Sequence, residues 1–516
     1  MVTVNVRRGL VWIGGGLLYG LALPPWDYDV CSWVALVPLL VATDRADGRQ
    51  AFIDGALGGI AASWAVGWWI PAAAARFFSA GIWASAAAMT CVYVSIFGLI
   101  FGTFAFVVAR CASGSRSVRC LLAAATWTAL EFWRAYGLGQ PWGLLGYTQH
   151  ARLGLIQLAA LTGVYGVSFV VVLGNAVVAE CVRAWRSGAG WCEIVRPACA
   201  ALVIVCAPQM FGQLMLAAPD LTNTNRIALI QTNVPPALHW TKTYEHRQLT
   251  AHLEATSRLL AREAPALVVW PEHALPFDLE SEPLIFQELL ALARRQHTDI
   301  LLGAPRYADS REYNTAWLLP GDGKPASFYD KQRLVPFAEA GPLGRLLPTD
   351  PSAGTMDVTP GNEAGILRGF TTLGISICHE VLHADLALAG VRRGATVLVN
   401  IANDGWLDSI GDGASRQHFA MSIFRAVETR RYLVRSATTG ISGIVDPYGR
   451  VVAALDTRVA GTLVGGVVPS TVITPYVRYG DVFATGCVGA VLGWLLVEYA
   501  ARRRRQAALV PADAPA

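Results

Sequence analysis

Apolar and polar positions divide the chain into three parts. Almost no charged residues occur in five stretches, at residues 9–43, 51–109, 119–180, 197–217 and 482–500. A helix that crosses the hydrocarbon core of a bilayer needs about 20 apolar residues. The pattern predicts about eight membrane-spanning helices, seven before residue 218 and one after residue 480. We expect six of them at 51–71, 81–109, 119–136, 155–180, 197–217 and 482–500, and a shorter pair within 9–43, which a turn at 24–29 interrupts.

The segment 218–480 has a different pattern, with short apolar runs separated by amphipathic stretches. Apolar or β-branched runs predict strands at 226–231, 266–270, 299–303, 315–319, 372–377 and 396–400. Apolar residues spaced three and four apart predict helices at 244–262, 284–296, 381–393 and 416–430. Strands that alternate with helices indicate a layered α/β domain.

Composition and charge placement support this division and orient the chain. Only 15% of the residues are charged, whereas a soluble domain usually has about 25%. With the N-terminus inside, the inner segments carry fourteen arginines and the outer loops three, Arg76, Arg134 and Arg152. Because short cytoplasmic loops are enriched in basic residues, segment 218–480 is expected outside. We therefore expect an N-terminal transmembrane domain of about seven helices at 1–217, an extracytoplasmic domain at 218–480, a transmembrane helix at 481–500 and a cytoplasmic Arg-rich tail at 501–516.

Cysteine usage excludes a disulfide scaffold. Nine of the ten cysteines lie in or beside the apolar stretches, and Cys378 is the one cysteine of segment 218–480. A disulfide framework needs paired cysteines in one compartment. The sequence also lacks the C-x-x-C spacing typical of zinc sites, so we expect no metal and no organic cofactor.

Two segments of the region 218–480 contain residues that could act in catalysis. Glu272 follows an apolar strand in ALVVWPEHALP, and strand ends commonly display the working residues of an α/β fold. Lys331, one of three lysines, precedes Glu339 by eight residues in YDKQRLVPFAE. A lysine ammonium is suited to stabilising an oxyanion. The alternatives are a surface glutamate and an exposed Lys–Glu pair of little energetic value.

In a third segment, TTLGISICHE, a predicted strand ends at Cys378, and a helical pattern follows. The turn would expose the thiol to backbone N–H groups and a helix N-terminus, which would lower its pKa. The alternative is a small core residue. Glu272, Lys331 and Cys378 together would supply a base, an oxyanion stabiliser and a nucleophile. His379 is a rival base, but neighbouring side chains at a strand end point in different directions.

The order Glu–Lys–Cys, in the contexts WPE, DKxxLVPFxE and CxE, resembles the nitrilase superfamily. With the apolar stretches around it, the whole chain resembles the apolipoprotein N-acyltransferase family, including NTA at 314–316, NDGW at 403–406 and TPYVRYGD at 474–481. The resemblance implies an αββα sandwich, with Cys378 as nucleophile, Glu272 as general base and Lys331 as oxyanion stabiliser. Glu339 and Glu380 match supporting glutamates of the family.

The resemblance also implies the reaction and its setting. An acyl chain would pass from a phospholipid to Cys378, and then to the α-amino group of the diacylglyceryl-modified N-terminal cysteine of an apolipoprotein. The protein would act as a monomer in the bacterial inner membrane, without nucleic acid, and with its catalytic domain on the periplasmic side. Trp240 matches a tryptophan near the family's substrate site. Two positions depart from the family pattern: His379 replaces a tyrosine, and Ala338 a glycine.

Two other functions and one further structural hypothesis remain open. A membrane-tethered hydrolase of amides or nitriles would use the same three residues, although one anchor would suffice for it. A transporter or receptor would need no such set, and its intramembrane charges should be central in the spans. The apolar, turn-rich segment 340–354 is expected to form a lid for lipid entry.

Overall fold

The computed structural model describes the chain in segments that include both predicted regions. The described residues are 6–43, 46–77, 81–111, 115–216, 224–237, 240–335, 339, 358–363 and 365–508. Ala338 and the predicted lid at 340–354 lie outside them, as does the predicted domain boundary at 217–218.

The regular elements in the described residues of the N-terminal part are all helices. Its helices are α1 (Val6–Leu21), α2 (Val37–Ala42), α3 (Gly48–Val66), α4 (Ile70–Phe77), α5 (Ile82–Met89), α6 (Ser95–Arg110), α7 (Arg116–Gly137), α8 (Leu153–Ile156), α9 (Ala159–Thr162), α10 (Val164–Arg186) and α11 (Trp191–Met215). A π-helical turn at Thr90–Val94 joins α5 to α6. The predicted turn at 24–29 separates α1 from the 3-10 helix Asp29–Trp33 and from α2, as expected.

The rest of the chain contains two sets of strands and six helices in its described residues. The strands are β1 (Asn225–Gln231), β2 (Leu267–Val269), β3 (Asp299–Ala308), β4 (Arg311–Leu319), β5 (Ser327–Asp330), β6 (Ile366–Arg368), β7 (Thr372–Ile377), β8 (Val397–Ala402), β9 (Leu433–Ala437), β10 (Ser442–Val445), β11 (Val451–Leu455) and β12 (Gly461–Val467). The helices are α12 (Lys242–Leu260), α13 (Pro283–Gln296), α14 (Ala384–Arg392), α15 (Gly413–Thr429), α16 (Pro475–Tyr479) and α17 (Val482–Ala508). All six predicted strands and all four predicted helices of this region are confirmed.

Four helices of the described residues are long and apolar enough to cross a membrane. They are Ile82–Arg110, α10, α11 and Val482–Arg504. The total of about eight spans stays a prediction. The span expected at 155–180 begins later, at Val164, because Gly163 has φ +66° and ends the short helix α9. A Cβ at Gly163 would lie 2.6 Å from the Tyr476 ring, so this break makes room for α16.

The strands form two six-stranded sheets with the same pattern. One sheet has the order β12-β1-β2-β3-β4-β5 and the other β11-β10-β9-β8-β7-β6. In each, three central strands are parallel (β1, β2 and β3, or β7, β8 and β9), and antiparallel strands flank them. The carboxyl ends of parallel strands therefore lie at one edge of each sheet, where catalytic side chains are commonly found.

The two sheets pack face to face and helices cover both outer faces. Along β8, Val397, Val399 and Ile401 face the first sheet, whereas Leu398 faces the other way, as the alternation of a strand requires. Helices α12 and α13 pack on the outer face of the first sheet. Helices α14 and α15 pack on the second and share one continuous core with the N-terminal helices. The αββα sandwich beside a helical region of several apolar helices is confirmed, and the helical region from residue 6 to residue 216 is called the membrane part below.

A buried glutamine on α15 joins the sandwich to the N-terminal helices. The Gln417 amide nitrogen donates to the carbonyl oxygens of Pro24 at 3.0 Å and Val66 at 3.1 Å. Its amide oxygen accepts from the indole nitrogens of Trp142 at 2.8 Å and Trp69 at 3.4 Å. One side chain therefore connects α15 with three separate turns of the membrane part.

Candidate active site

Glu272 lies just after β2, and three donors hold its carboxylate. Its Oε1 accepts from Asn314 Nδ2 at 2.8 Å and from Lys331 Nζ at 3.1 Å. Its Oε2 accepts from the Asn403 backbone N–H at 2.9 Å. Only 3% of the residue is exposed. Burial acts to raise the pKa of Glu272, but the Lys331 charge, the His273 ring and the hydrogen bonds hold that pKa below its usual value.

Lys331 follows β5 and lies between two carboxylates. Its Nζ donates to Glu339 Oε1 at 2.7 Å as well as to Glu272. The side chain is 1% exposed, so the alternative of an exposed surface pair is wrong. Burial acts to lower the pKa of Lys331, but the charges of Glu272 and Glu339 raise it well above its usual value. The ammonium therefore keeps its charge at neutral pH, where it can stabilise an oxyanion.

Cys378 occupies the turn directly after β7 and has a strained backbone. Its φ of +55° lies in the left-handed region, which costs a residue other than glycine about 1 kcal/mol or more. Asn400 Nδ2 donates to the Cys378 carbonyl oxygen at 3.1 Å and to the Ser376 hydroxyl at 3.0 Å. Cys378 as a whole residue is intermediate in exposure, and its thiol is surrounded by protein atoms.

The expected lowering of the thiol pKa is wrong. Burial and the Glu272 charge raise the pKa of Cys378 well above its usual value, although the Lys331 charge acts in the opposite direction. A short 3-10 helix, Cys378–Leu382, separates the thiol from α14, so the α-helix dipole does not reach the thiol directly. The resting group is therefore a thiol that needs a base.

Glu380 ties the Lys331 loop to the Cys378 turn. Its carboxylate accepts from the backbone N–H groups of Ile377 at 2.8 Å, Gln332 at 2.6 Å and Arg333 at 2.9 Å. It also accepts from the Tyr329 hydroxyl at 3.0 Å. Burial raises the pKa of Glu380 to about 7, against the lowering effect of these backbone donors. This glutamate sets the relative position of two candidate catalytic segments.

The rival base His379 lies against another histidine. Its ring and that of His383 meet edge to face, with centroids 5.3 Å apart. Burial and the Lys331 charge lower the pKa of His379 well below its usual value, so the imidazole is neutral. Glu272, in contrast, is a candidate base that pairs directly with the Lys331 ammonium.

Trp240 lies at the edge of the site and contacts a residue that the sequence did not single out. Its ring centroid is 5.3 Å from that of His273, the neighbour of Glu272. His273 is buried with φ +51°, and burial lowers the pKa of its imidazole. Trp240 therefore belongs to the wall beside the candidate base.

Four further residues support the site and were not predicted as site residues from the sequence. They are Asn314, Asp404, His418 and Arg435. Asn314 bridges Glu272 and Glu339, to which it donates at 3.1 Å. Asp404 lies after β8 and accepts from His418 Nδ1 at 2.8 Å and from Arg435 Nη2 at 2.7 Å. Asn314 and Asp404 occur in the NTA and NDGW motifs, and the strand-end rule would also have found Asp404. Among the described residues, no group of three or more His, Cys, Asp or Glu side chains could hold a metal ion.

Two family models match most of the chain. The apolipoprotein N-acyltransferase N-terminal domain matches residues 15–177. The carbon-nitrogen hydrolase family matches residues 226–474. Apolipoprotein N-acyltransferase of Geobacter metallireducens is 33% identical and covers 93% of each chain. The enzyme of that name from Gloeobacter violaceus is 31% identical over 97% of this chain and 96% of its own.

Solved structures of two proteins align with about half of the chain. Saccharomyces cerevisiae Nit3, of the nitrilase superfamily, has a TM-score of 0.37 and 18% identity over 51% of this chain and 94% of its own. An amidase from Nesterenkonia sp. AN1 has a TM-score of 0.39 and 20% identity over 51% of this chain and 97% of its own.

Proposed function

The chain belongs to the apolipoprotein N-acyltransferase family, and from that membership we propose its reaction. It is a membrane-embedded bacterial acyltransferase of lipoprotein maturation. Its acyl donor is a membrane phospholipid, and Cys378 carries the acyl chain as a thioester. The acceptor is the α-amino group of the N-terminal diacylglyceryl-cysteine of an apolipoprotein. The observation that carries the proposal is the buried Lys331 ammonium, shared by Glu272 and Glu339 beside the Cys378 thiol.

In the first step the Cys378 sulfur attacks the ester carbonyl of the phospholipid. Its proton passes to the Glu272 carboxylate, which is ionised because Lys331 and its other donors stabilise the charge. A lysine ammonium has three N–H donors. Two of those of Lys331 meet Glu272 and Glu339, and the third can meet the oxyanion. Collapse of the intermediate releases a lysophospholipid, whose oxygen takes the proton from Glu272.

In the second step the apolipoprotein amine attacks the thioester. Glu272 accepts a proton from the attacking nitrogen and returns it to the departing Cys378 sulfur. The product is an amide, and the free thiol is restored, so the kinetics are ping-pong. Water competes with the amine at this stage, so the acylated site must exclude water. Trp240 and His273 form an aromatic wall beside Glu272 that supports this exclusion.

Both substrates are lipids, which explains the size of the membrane part. Moving an acyl chain through water costs about 0.8 kcal/mol per CH₂ group. A core shared by α14, α15 and the N-terminal helices holds the site beside the membrane part. We propose that the site faces the periplasm, on the ground of the arginine distribution.

The test is acyl-adduct detection by mass spectrometry on purified protein. After incubation with phospholipid, the wild type should carry one acyl chain on Cys378, and adding a diacylated lipopeptide should transfer it. Cys378→Ala should form no adduct. Glu272→Gln should form it about a hundredfold more slowly or worse, as should Lys331→Met.

Two matched substitutions outside the site serve as controls. Cys487→Ala removes a buried thiol of α17, and Lys242→Met removes an exposed lysine paired with Glu245. Both should retain the wild-type rate. Release of free fatty acid without N-acylation would indicate a hydrolase and contradict the proposal. Lipopeptide acylation by Cys378→Ala at the wild-type rate would also overturn it.

A further inference from the structure

We propose that Arg76, a residue of the membrane part, is a positioning residue of the active site. Arg76 holds the backbone of the loop 403–406. In this loop the Asn403 N–H donates to the carboxylate of the general base, Glu272. The inference rests on the proposed function, because it takes Glu272 as that base. It makes the catalytic geometry of the sandwich depend on contact with the membrane helices.

Arg76 lies in the last turn of α4 and reaches across to the sandwich. Its Nη1 donates to the Gly405 carbonyl oxygen at 3.1 Å, and its Nη2 donates to the Pro236 carbonyl oxygen at 3.1 Å. Its guanidinium carbon also lies 5.9 Å from the centroid of the Trp406 ring. A planar guanidinium with donors in a fixed fork can hold two carbonyl groups at once. Arg76 thus bridges two loops of the catalytic part.

The first of these loops contacts the candidate base directly. Asn403, two residues before Gly405, donates its backbone N–H to Glu272 Oε2 at 2.9 Å. From the other side, the Asp404 carboxylate is held by His418 and Arg435, and all three side chains are fully buried. The loop is therefore fixed at Asp404 by the sandwich and at Gly405 by the membrane part.

The second loop contains Pro236, precedes Trp240 in the sequence and packs tightly on the 403–406 loop. A Cβ added to Gly405 would lie 2.7 Å from Pro236 Cδ. The two carbonyl groups that Arg76 binds therefore belong to loops in direct contact. Releasing them lets the 403–406 loop shift relative to Glu272, and a carboxylate that loses an N–H donor becomes harder to ionise. The positioning effect of Arg76 therefore reaches the base through Asn403.

The experiment compares Arg76→Met, Arg76→Lys and a matched control, Arg152→Met, in the full-length protein. Arg152 is also a predicted outer-side arginine, but it pairs with Asp29 within the membrane part. The measurements are kcat and phospholipid KM for Cys378 acylation, the pH profile of kcat, and the melting temperature. Phosphatidylglycerol vesicles with detergent-solubilised protein supply the donor.

We expect Arg76→Met to lower kcat about tenfold or more, because small misplacements of catalytic groups have effects of this size. Phospholipid KM should stay within about twofold of the wild-type value. The acid limb of the pH profile should move to higher pH, since Glu272 loses an N–H donor. Arg76→Lys, which can hold one carbonyl, should recover part of kcat and part of the shift. Arg152→Met should match the wild type.

The other groups that influence Glu272 remain in place in these variants. These groups belong to other segments, and they are Lys331, Glu339, Asn314, His273, Cys378 and His418. A wild-type pH profile in Arg76→Met would overturn the inference, whatever its melting temperature. A loss confined to KM would also overturn it. If Arg76→Met does not fold, Arg76→Lys decides by the same pH shift. If the wild type forms no acyl adduct on Cys378, the proposed function itself is wrong.

Discussion

The Lys331 ammonium meets two carboxylates, so the buried cluster of Lys331, Glu272 and Glu339 has one net negative charge when all three are ionised. That surplus charge suits a base that must take a proton from a thiol of raised pKa. The positive charge of Lys331 alone would lower the pKa of Glu272 and make it a weak base. The negative charge of Glu339 offsets part of the Lys331 charge. Asn314 holds both carboxylates at fixed positions by donating to each.

This balance predicts the effect of replacing Glu339. In Glu339→Gln a negative charge near Glu272 is lost, so the pKa of Glu272 should fall and Glu272 should become a poorer base. We expect Cys378 acylation to slow about tenfold to a hundredfold, and the acid limb of the rate profile to move to lower pH. Acylation assays from about pH 3 to about pH 8 would measure both, because the acid limb is expected below the usual glutamate pKa of about 4.3.

The control for this substitution is Glu254→Gln, which changes an exposed glutamate paired with Arg258. It should leave the rate and the pH profile unchanged. A shift of the acid limb to higher pH in Glu339→Gln would contradict the charge argument. That direction is the one expected for Arg76→Met, so the two substitutions distinguish a lost negative charge from a lost N–H donor.

Only those parts of the candidate site that depend on distinctive side chains could be predicted from the sequence. Glu272 and Cys378 end strands, and Lys331 is a rare residue type, so all three stood out. Asn403 acts through its backbone N–H, which any residue other than proline provides, so its identity carries no signal. The thiol pKa was predicted in the wrong direction because both the burial of the thiol and the approach of the Glu272 charge depend on tertiary structure.

Among the elements, the strands found from sequence are those with uninterrupted apolar runs. The missed strands include β9, which is fully buried but has Arg435 at its centre. Asp404 neutralises that arginine from the end of β8, a contact between residues that are distant in sequence. Strands β5 and β6 are only 4 and 3 residues long, too short for a pattern. β11 is largely exposed and lacks a buried face.

Helix α15 is where the two parts of the molecule meet through a single polar side chain. Replacing Gln417 with leucine would leave the carbonyl groups of Pro24 and Val66 and the indoles of Trp69 and Trp142 without this partner. An unsatisfied buried polar group costs about 1–3 kcal/mol. We expect Gln417→Leu to destabilise the protein by about 2 kcal/mol or more, seen as a lower melting temperature in detergent by tryptophan fluorescence.

The matched control is Gln296→Leu at the exposed end of α13, which should melt like the wild type. Equal melting temperatures for the two variants would show that Gln417 does not hold the interface. Because Gln417 lies on α15 rather than in a catalytic segment, residual Gln417→Leu protein at low temperature should still acylate Cys378.

In the whole molecule, burial separates helices that face protein from those that face lipid. The most apolar window of α10 is 72% buried, whereas that of α11 has no buried residues and that of Val482–Arg504 is 17% buried. Helix α11 exposes the large apolar side chains Leu202, Met210 and Leu214. Because exposed apolar surface of this kind is unfavourable in water, α11 is expected to contact lipid. These helices flank the sandwich in sequence, which supports anchoring of the catalytic part at both ends.

The orientation of the molecule follows from the arginine distribution and is open to direct test. If the inner loops face the cytoplasm, the α10–α11 turn and the sandwich lie on opposite sides of the membrane. Ser187 after α10 and Ser257 on α12 are both exposed serines. We expect Ser257→Cys in spheroplasts to react with a membrane-impermeant maleimide, and Ser187→Cys to react only after permeabilisation. Labelling is read above that of the parent in which the ten native cysteines are replaced. The reverse pattern would place Cys378 in the cytoplasm, away from the proposed acceptor, and would refute both the orientation and the periplasmic reaction.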